Sequence, residues 1–100
     1  MKYTVKLSDR ANADFDNYIN HIIYEYDAPI TASKHHDGII EILLGLSENP
    51  YKNAVRNNNS LHPFGENVRR ANFKKMAIIY TIHGNIVYIH RILAASMITD

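Results

Sequence analysis

VRRANFKKMAIIYTIHGNIVYIHRILAASMI, residues 68–98, holds three strand-like runs in succession and predicts the sheet against which the other elements pack. Its two longer runs, residues 76–83 and 86–93, are rich in Ile, Val, Tyr and Thr, which suit a pleated and half-buried surface. Only a Gly-Asn dipeptide separates them, which is typical of a two-residue β-hairpin. A shorter run, residues 67–73, predicts a third antiparallel strand.

Strict alternation along these strands assigns their side chains to two faces. In the first strand of the hairpin, Ile78, Tyr80 and Ile82 share one face, and Ala77, Ile79 and Thr81 share the other. In the second strand, Val87, Ile89, Arg91 and Leu93 alternate with Ile86, Tyr88, His90 and Ile92.

The N-terminal half predicts one strand and two helices. Residues 2–7 alternate between apolar and polar side chains, as a half-buried strand does. Ser8 or Asp9 can cap a helix over residues 9–26, whose apolar stripe has spacings of three and four. Its inward stripe is Phe15, Tyr18, Ile19, Ile22, Ile23 and Tyr26, and its predicted solvent face is Asp14, Asp16, Asn17, Asn20 and Glu25.

Pro29 breaks the chain after this helix, and Thr31 or Ser33 is the predicted cap of a second helix that ends at Asn49-Pro50. Residues 51–67 predict a long loop with room for one short turn. The fold expected from these elements is α+β in one domain, residues 1–100. It has an N-terminal strand, a helical hairpin and a three-stranded antiparallel meander, which form one twisted sheet with the helices on one face.

Composition excludes several classes of protein. Hydrophobic residues make up 46% of the chain and charged residues 21%, which is ordinary for a globular protein. There is no cysteine, so neither disulfides nor thiolate metal sites are possible. No apolar run approaches the roughly 20 residues that span a bilayer, and no signal peptide is recognisable. A soluble cytoplasmic protein without metal or cofactor is therefore expected.

Charge is divided unequally along the chain. Residues 1–66 carry six basic and nine acidic side chains, whereas residues 67–99 carry five basic and no acidic ones. A basic sheet beside an acidic helical half could face an acidic partner or nucleic acid, and it could equally be a solvated strand edge protected from aggregation. The basic and aromatic side chains that could act together are Arg69, Arg70, Lys74, Lys75, Tyr80, Tyr88, His90 and Arg91.

The order of elements and the local sequence motifs resemble those of the ParE/RelE superfamily of type II toxins, also called plasmid stabilisation proteins. The matching segments are KYTVKLS, the Tyr-Ile-x-x-Ile centre of the first helix, GLSENP at the end of the second, and VRRANFKKMAIIYTI. The resemblance covers nearly the whole chain, and it implies a twisted antiparallel sheet with a helical hairpin on one face. It is most specific at Arg69, Ile79-Tyr80, Gly84-Asn85 and Arg91-Ile92-Leu93, which occur in the family order.

The resemblance implies one of two activities. RelE-like members are ribosome-dependent mRNA endonucleases that use basic residues and a tyrosine, whereas ParE-like members lack that set and poison DNA gyrase through protein contacts. Here Ala77 and Met97 stand where RelE-like members have arginines, and the sequence reaches Asp100 without the tail tyrosine. A nuclease would be left with the candidates Arg70, Lys74, Lys75, Tyr80 and Arg91.

The ParE-like branch is therefore the favoured reading of the resemblance. It implies a toxin that inhibits gyrase and is neutralised by a cognate antitoxin, which lays a helix or strand across the groove between hairpin and sheet. The alternatives are an endonuclease that acts on mRNA at the ribosome, and an inactive member that only binds antitoxin, because Ala94 and Ser96 replace a histidine and a basic residue common in ParE-like endings. The expected target-binding residues are Arg69, Arg70, His90, Arg91, Ser96 and Met97.

Overall fold

The computed structural model describes residues 2–98 and confirms the predicted α+β fold. Met1, Thr99 and Asp100, which the single-domain prediction included, lie outside the described residues. Within that range the strands and long helices are β1 (Thr4–Leu7), α1 (Asp9–Tyr26), α2 (Pro29–Glu48), β2 (Arg69–Phe73), β3 (Met76–His83) and β4 (Ile86–Ala94). Short 3₁₀ turns span Pro50–Lys52, Asn59–Phe64 and Ala95–Met97.

The four strands form one sheet in the order β1-β4-β3-β2. The predicted meander is confirmed, since β3 pairs antiparallel with both β2 and β4. The hairpin connection is also confirmed, because His83 pairs with Ile86 and Gly84 takes a φ of +61°. The strand β1 pairs parallel with β4, so β1 and β2 are the two edges of the sheet.

Ser8 joins the start of α1 to the middle of the sheet. Its hydroxyl accepts a hydrogen bond from the Ala11 N–H at 3.0 Å, which makes it the N-cap, and donates one to the His90 carbonyl at 2.8 Å. Its own N–H donates to the Ile89 carbonyl at 2.9 Å. These bonds fix the direction in which α1 leaves the sheet.

The second helix begins earlier than predicted. It starts at Pro29, with Ala28 as the N-cap, and so the expected caps Thr31 and Ser33 lie inside the helix. Proline breaks a helix only from within; at the first position its missing N–H is one that no helical carbonyl would have accepted. The turn between the helices is made at Asp27, whose φ is +48°.

A β-bulge in β4 corrects the predicted alternation of faces. Ile79 pairs with Arg91, but the next residue of β3, Tyr80, pairs with Ile89, so His90 is an extra residue in β4. Strict alternation placed Ile92 on the face opposite Ile89. The extra residue returns Ile92 to the helix-facing side, where the core contains Ala11, Ile39, Leu43, Leu46, Ala71, Ile78, Tyr80, Val87, Ile89 and Ile92.

The sheet has a second, smaller core on its far face, the side opposite α1 and α2. The loop between α2 and β2 contains two 3₁₀ turns rather than one, and the second of them lays Leu61 and Phe64 on this face. Ile98 packs against the same cluster from the end of the described chain. The buried members are Leu61, Val68, Ala77 and Ile79, and thus β3 is covered on both sides.

The helix α2 approaches the sheet closely at Gly38. A Cβ atom at Gly38 would lie 2.2 Å from Cε1 of Phe73, the last residue of β2. The Phe73 ring also meets His35 edge-on, with centroids 5.6 Å apart. The absence of a side chain at Gly38 therefore lets Phe73 pack directly against the helix.

We expect Gly38→Ala to lower the free energy of unfolding by about 1–3 kcal/mol, because the added methyl forces the Phe73 ring out of its place. The matched control is Gly45→Ala in the same helix, where the new Cβ meets only the flexible end of Lys52 at 3.3 Å. Gly45→Ala should be neutral or stabilising by up to about 1 kcal/mol. Urea unfolding of both variants tests this, and equal effects would contradict the close approach.

Candidate target-binding surface

The predicted site residues lie mainly on or beside the far face of the sheet. Arg70 pairs with Ile79, which pairs in turn with Arg91, so the two arginines occupy one row across three strands. His90 is the bulged residue beside that row. Whether this row acts as one cationic site depends on where each side chain is held.

Arg91 is held by an acidic residue of α1. Its Nε donates to Asp14 Oδ2 at 2.7 Å and its Nη2 donates to Oδ1 at 2.9 Å, a bidentate pair. The side chains are only 18% and 15% exposed, and the hydrogen bond to Asp14 raises the pKa of Arg91. The charge of Arg91 is therefore neutralised inside the protein.

Asp14 was predicted to face solvent, and that prediction is wrong. Besides binding Arg91, its Oδ2 accepts the Ile92 N–H at 3.0 Å. This bond lies beyond the end of β1, whose register stops at Leu7 opposite Ile89. Asp14 thus supplies a hydrogen-bond acceptor to β4 where the neighbouring strand has ended.

Arg69 and Tyr80 support the loop that follows α2. Arg69 Nη1 donates to the Asn53 carbonyl, and its guanidinium lies 5.1 Å from the centre of the Tyr51 ring. The Tyr80 hydroxyl donates to the Pro50 carbonyl at 2.7 Å and accepts from Asn53 Nδ2 at 3.1 Å. Both side chains hold residues 50–53 against the sheet.

Tyr80 is not available to a substrate on the surface. It has 0% exposure, and burial raises the pKa of its hydroxyl, against smaller lowering effects of Asn53 and Arg69. A nuclease reaction that needs this hydroxyl as an acid or base would require the loop to leave the sheet.

The remaining candidate cations are dispersed, with Arg70 partly exposed and Lys74 and Lys75 exposed. Arg70 Nε donates to Asn72 Oδ1 at 2.8 Å on the surface of β2. Lys74 and Lys75 form the exposed β2–β3 turn, about 13 Å farther along the strand by the usual rise per residue. Lys74 has a backbone φ of +53°, which is unusual for a residue other than Gly or Asn. The structure therefore does not gather these groups around one point.

His90 belongs to a partly buried polar cluster on the far face. Thr81 Oγ1 lies 2.8 Å from His90 Nε2 and 2.7 Å from His83 Nε2. The His90 ring also packs against Phe64 and Tyr88, with centroids 5.4 and 4.8 Å away. Burial, and then the neighbouring His83, lower the pKa of His90. His90 is therefore neutral at pH 7, and its ring is a hydrogen-bonding and packing group.

The end of β4 presents the last two predicted target-binding residues. Ala94 pairs with Met76, and the Ala95 N–H then donates to the Lys75 carbonyl at 2.7 Å. The following 3₁₀ turn leaves Ser96 exposed and Met97 67% exposed, while Ile98 packs back onto the sheet. Of the predicted target-binding residues, Ser96 and Met97 are thus the most exposed.

Neither a metal centre nor a membrane span is found in the part of the chain that the structure describes. Among residues 2–98, no three His, Cys, Asp or Glu side chains are grouped so that they could hold a metal ion. Neither long helix in that range is apolar enough, over a sufficient length, to cross a bilayer.

A match to a protein-family model assigns a chain to a family, which a shared fold alone does not do. The model that describes the ParE toxin of the type II toxin-antitoxin system, parDE, matches residues 5–99. The chain belongs to this family.

Solved structures agree with the fold of this ParE family member. The chromosomal ParDE toxin-antitoxin system from P. aeruginosa aligns with a TM-score of 0.72 and 21% identity, over 93% of this chain and 96% of that one. The toxin-antitoxin complex RelBE2 from Mycobacterium tuberculosis aligns with a TM-score of 0.64 and 18% identity, over 94% and 99% of the two chains. No curated protein matches the sequence.

The sequence analysis did not identify the roles of several structurally important residues of this ParE family member. Asp14 lies three residues after Ala11 and four before Tyr18, so the helical spacing already placed it near the inward face. Thr81 was assigned to the face opposite Tyr80, but its hydrogen bond to His90, nine residues away on the neighbouring strand, has no local signal. No local signal identifies Asn53 as the partner of Tyr80, because the pair is 27 residues apart.

We expect Asp14→Asn to lower the free energy of unfolding by about 3 kcal/mol, since it leaves Arg91 charged and unpaired in a poorly solvated place. The matched control is Asp16→Asn on the exposed side of the same helix, with a change within about 0.5 kcal/mol. Urea unfolding measures both. A loss no larger for Asp14→Asn than for Asp16→Asn would show that the Asp14–Arg91 pair does not stabilise the fold.

We also expect the stability to fall as the pH is lowered through the titration of His90. Between its lowered folded-state pKa and its ordinary value of 6.5, the unfolded chain binds a proton that the folded chain does not. The free energy of unfolding should therefore decrease in that window on acidification, and the decrease should be smaller in His90→Gln. His62→Gln, at an exposed site, is the control and should keep the wild-type slope. Equal slopes in all three proteins would refute a role for His90.

Proposed function

We propose that this chain is a bacterial ParE-like toxin that arrests growth by inhibiting DNA gyrase through protein contacts, and that a cognate antitoxin neutralises it. In this proposal residues 1–100 form one cytoplasmic domain, and the gene pair acts in plasmid stabilisation. The ParE family match supports the toxin assignment. The choice of gyrase over mRNA rests on the arrangement of the basic side chains.

The observation that carries this choice is the dispersal of the groups a nuclease would need. Tyr80 is fully buried, Arg91 is neutralised by Asp14, and Arg69 holds the loop after α2. Arg70 is left on one side of the sheet, with Lys74 and Lys75 at its end. Phosphodiester cleavage needs an acid, a base and charge stabilisation within contact distance of one phosphate.

The surface that we propose for the target consists of Arg70, Ser96 and Met97, with His90 beside them on the far face. Met97 supplies an exposed, adaptable apolar contact, and Arg70 supplies a guanidinium on the surface of β2; methionine and arginine are both enriched at protein interfaces. In this proposal Arg69 and Arg91 act as positioning residues, since each is bound to another part of the chain.

The first test is growth. Induction of the chain alone should arrest bacterial growth, and co-expression of the small open reading frame beside its gene should restore it. The purified protein should then inhibit supercoiling by DNA gyrase and cause DNA damage signalling in cells. Arrest with intact gyrase activity and with cleaved mRNA would support the endonuclease instead, and binding to the antitoxin without arrest would support an inactive member.

We expect Arg70→Ala and Met97→Ala each to weaken gyrase inhibition at least about tenfold, the loss typical of one important interface side chain. Arg10→Ala, which removes an exposed charge from the helical side, is the matched control and should inhibit as well as the wild type. Inhibition that is unchanged in Arg70→Ala and Met97→Ala would contradict the proposed surface while leaving gyrase as the target.

A further inference from the structure

A cleft of about 390 Å³ opens where the second half of α1 and the first turns of α2 meet the turn between β2 and β3. Lys74 and Lys75 of that turn line one side of it. The other walls are formed by ring-bearing and aliphatic side chains, which are Tyr18, His21, Ile22, Tyr26, His35 and Met76. Pockets that hold small molecules have volumes of about 300–1,000 Å³, and this cleft falls within that range.

The walls of the cleft are mainly apolar. The Tyr18 hydroxyl and His35 Nδ1 are hydrogen-bonded to each other, so these two polar groups satisfy one another. The rings of His21 and Tyr26 meet edge-on, with centroids 5.4 Å apart. The interior therefore offers ring surfaces and the side-chain carbons of Ile22, which suit an apolar ligand body.

The rim of the cleft is positive. Lys74 and Lys75 are both exposed, and no Asp or Glu of the described residues lines the cleft. Within residues 2–98 neither lysine takes part in an ion pair. Lys74 Nζ lies 5.7 Å from the centre of the Phe73 ring, which leaves its charge without a carboxylate partner. Two ammonium groups thus stand beside an apolar interior.

The turn that carries the lysines is fixed to the sheet. Phe73 pairs with Met76 across it, and Lys74 has the positive φ found in tight hairpin turns. The Lys75 carbonyl accepts the Ala95 N–H at 2.7 Å. A ligand would therefore meet a backbone that is already ordered, which lowers the entropic cost of binding.

We propose that this cleft binds a small amphipathic carboxylate, with its apolar body between the tyrosine and histidine rings and its carboxylate beside Lys74 and Lys75. A neutral ligand of the same shape would gain the apolar contacts without the charge attraction, and a cationic one would meet like charges at the rim. The inference is independent of the proposed function, since it concerns a ligand of the purified chain and residues outside the proposed target-binding surface.

Three probes with the same apolar body and different head groups test the charge preference, which are octanoate, octan-1-ol and octylammonium. Each is titrated at pH 7 into the full-length protein and followed by backbone amide chemical shifts. Octanoate should cause saturable shifts at the cleft, with a dissociation constant in the millimolar range expected for about ten non-hydrogen atoms. Octylammonium should bind at least about fivefold more weakly than octanoate, and octan-1-ol should lie between them.

A double variant of the rim tests the role of the two ammonium groups. Lys74→Gln with Lys75→Gln should raise the dissociation constant of octanoate about fivefold and leave that of octan-1-ol within about twofold. The matched control is Lys6→Gln with Lys52→Gln, which removes the same two charges from exposed positions that do not line the cleft. The control should bind both probes as the wild type does.

A variant of the wall tests the apolar contact. Tyr26 is 69% exposed, so Tyr26→Ala should leave the fold intact and weaken octanoate and octan-1-ol alike, by about threefold or more. Tyr24→Ala removes a ring of the same helix that is 79% exposed and does not line the cleft, and it should change neither affinity. Circular dichroism before titration confirms that each variant is folded.

The outcomes either support or refute the site. Saturable shifts confined to the cleft, together with loss of the charge preference in the double lysine variant, support the inference. Equal affinities for the three probes refute it, as do shifts that spread to exposed apolar residues elsewhere, such as Leu44 and Met97. The absence of saturable shifts with octanoate also refutes it, and leaves the toxin assignment unaffected.

Discussion

The structure depends on one extra residue in β4. The bulge at His90 interrupts the ladder between Ile79 and Tyr80, just where β1 ends and its place beside β4 becomes vacant. Asp14 of α1 binds the Arg91 guanidinium next to the bulge, and it accepts the Ile92 N–H beyond the end of β1. Ser8 ties the first turn of the same helix to the His90 carbonyl. The position of α1 on the sheet is thus set by polar contacts to the bulge as well as by the core beneath it.

This arrangement also determines which charges remain for binding. A row of basic residues in a sequence suggests a phosphate-binding surface, but a guanidinium that is paired inside the protein contributes little to such a surface. The Arg91 guanidinium is paired with Asp14, and the Arg69 guanidinium is hydrogen-bonded to the loop after α2. What remains is Arg70 on the surface of β2 and the exposed turn at Ser96 and Met97, which in the proposed function contact a protein target.

Local sequence patterns predicted most of the fold because each element has its own signal. The period of α1, the Gly84-Asn85 hairpin and the strand-like runs are all readable within a short window, and all three are confirmed. The bulge is not readable in this way, since it depends on how β4 pairs with β3. The predicted face of Ile92 failed for that reason. The predicted exposure of Asp14 failed because its partners, the Arg91 guanidinium and the Ile92 N–H, lie on a distant strand.

The candidate site was harder to predict than the fold, because it depends on contacts between distant segments. Tyr80 was named with the basic and aromatic side chains that could act together, although it shares a face with Ile78 and Ile82, and its hydroxyl is bonded to Pro50, 30 residues away. The ParE-like interpretation came from family resemblance. No pattern within one strand could show that the loop after α2 would cover Tyr80.

In the proposed function, Arg69 and Arg91 hold the structure and the basic residues do not cut RNA. The most direct measurement is primer extension on a defined message in a purified translation system, with the purified wild-type protein added. We expect full-length message and continued translation. Cleavage of the message at ribosome-bound codons would contradict it, because the buried Tyr80 and the paired Arg91 would then not preclude nuclease activity.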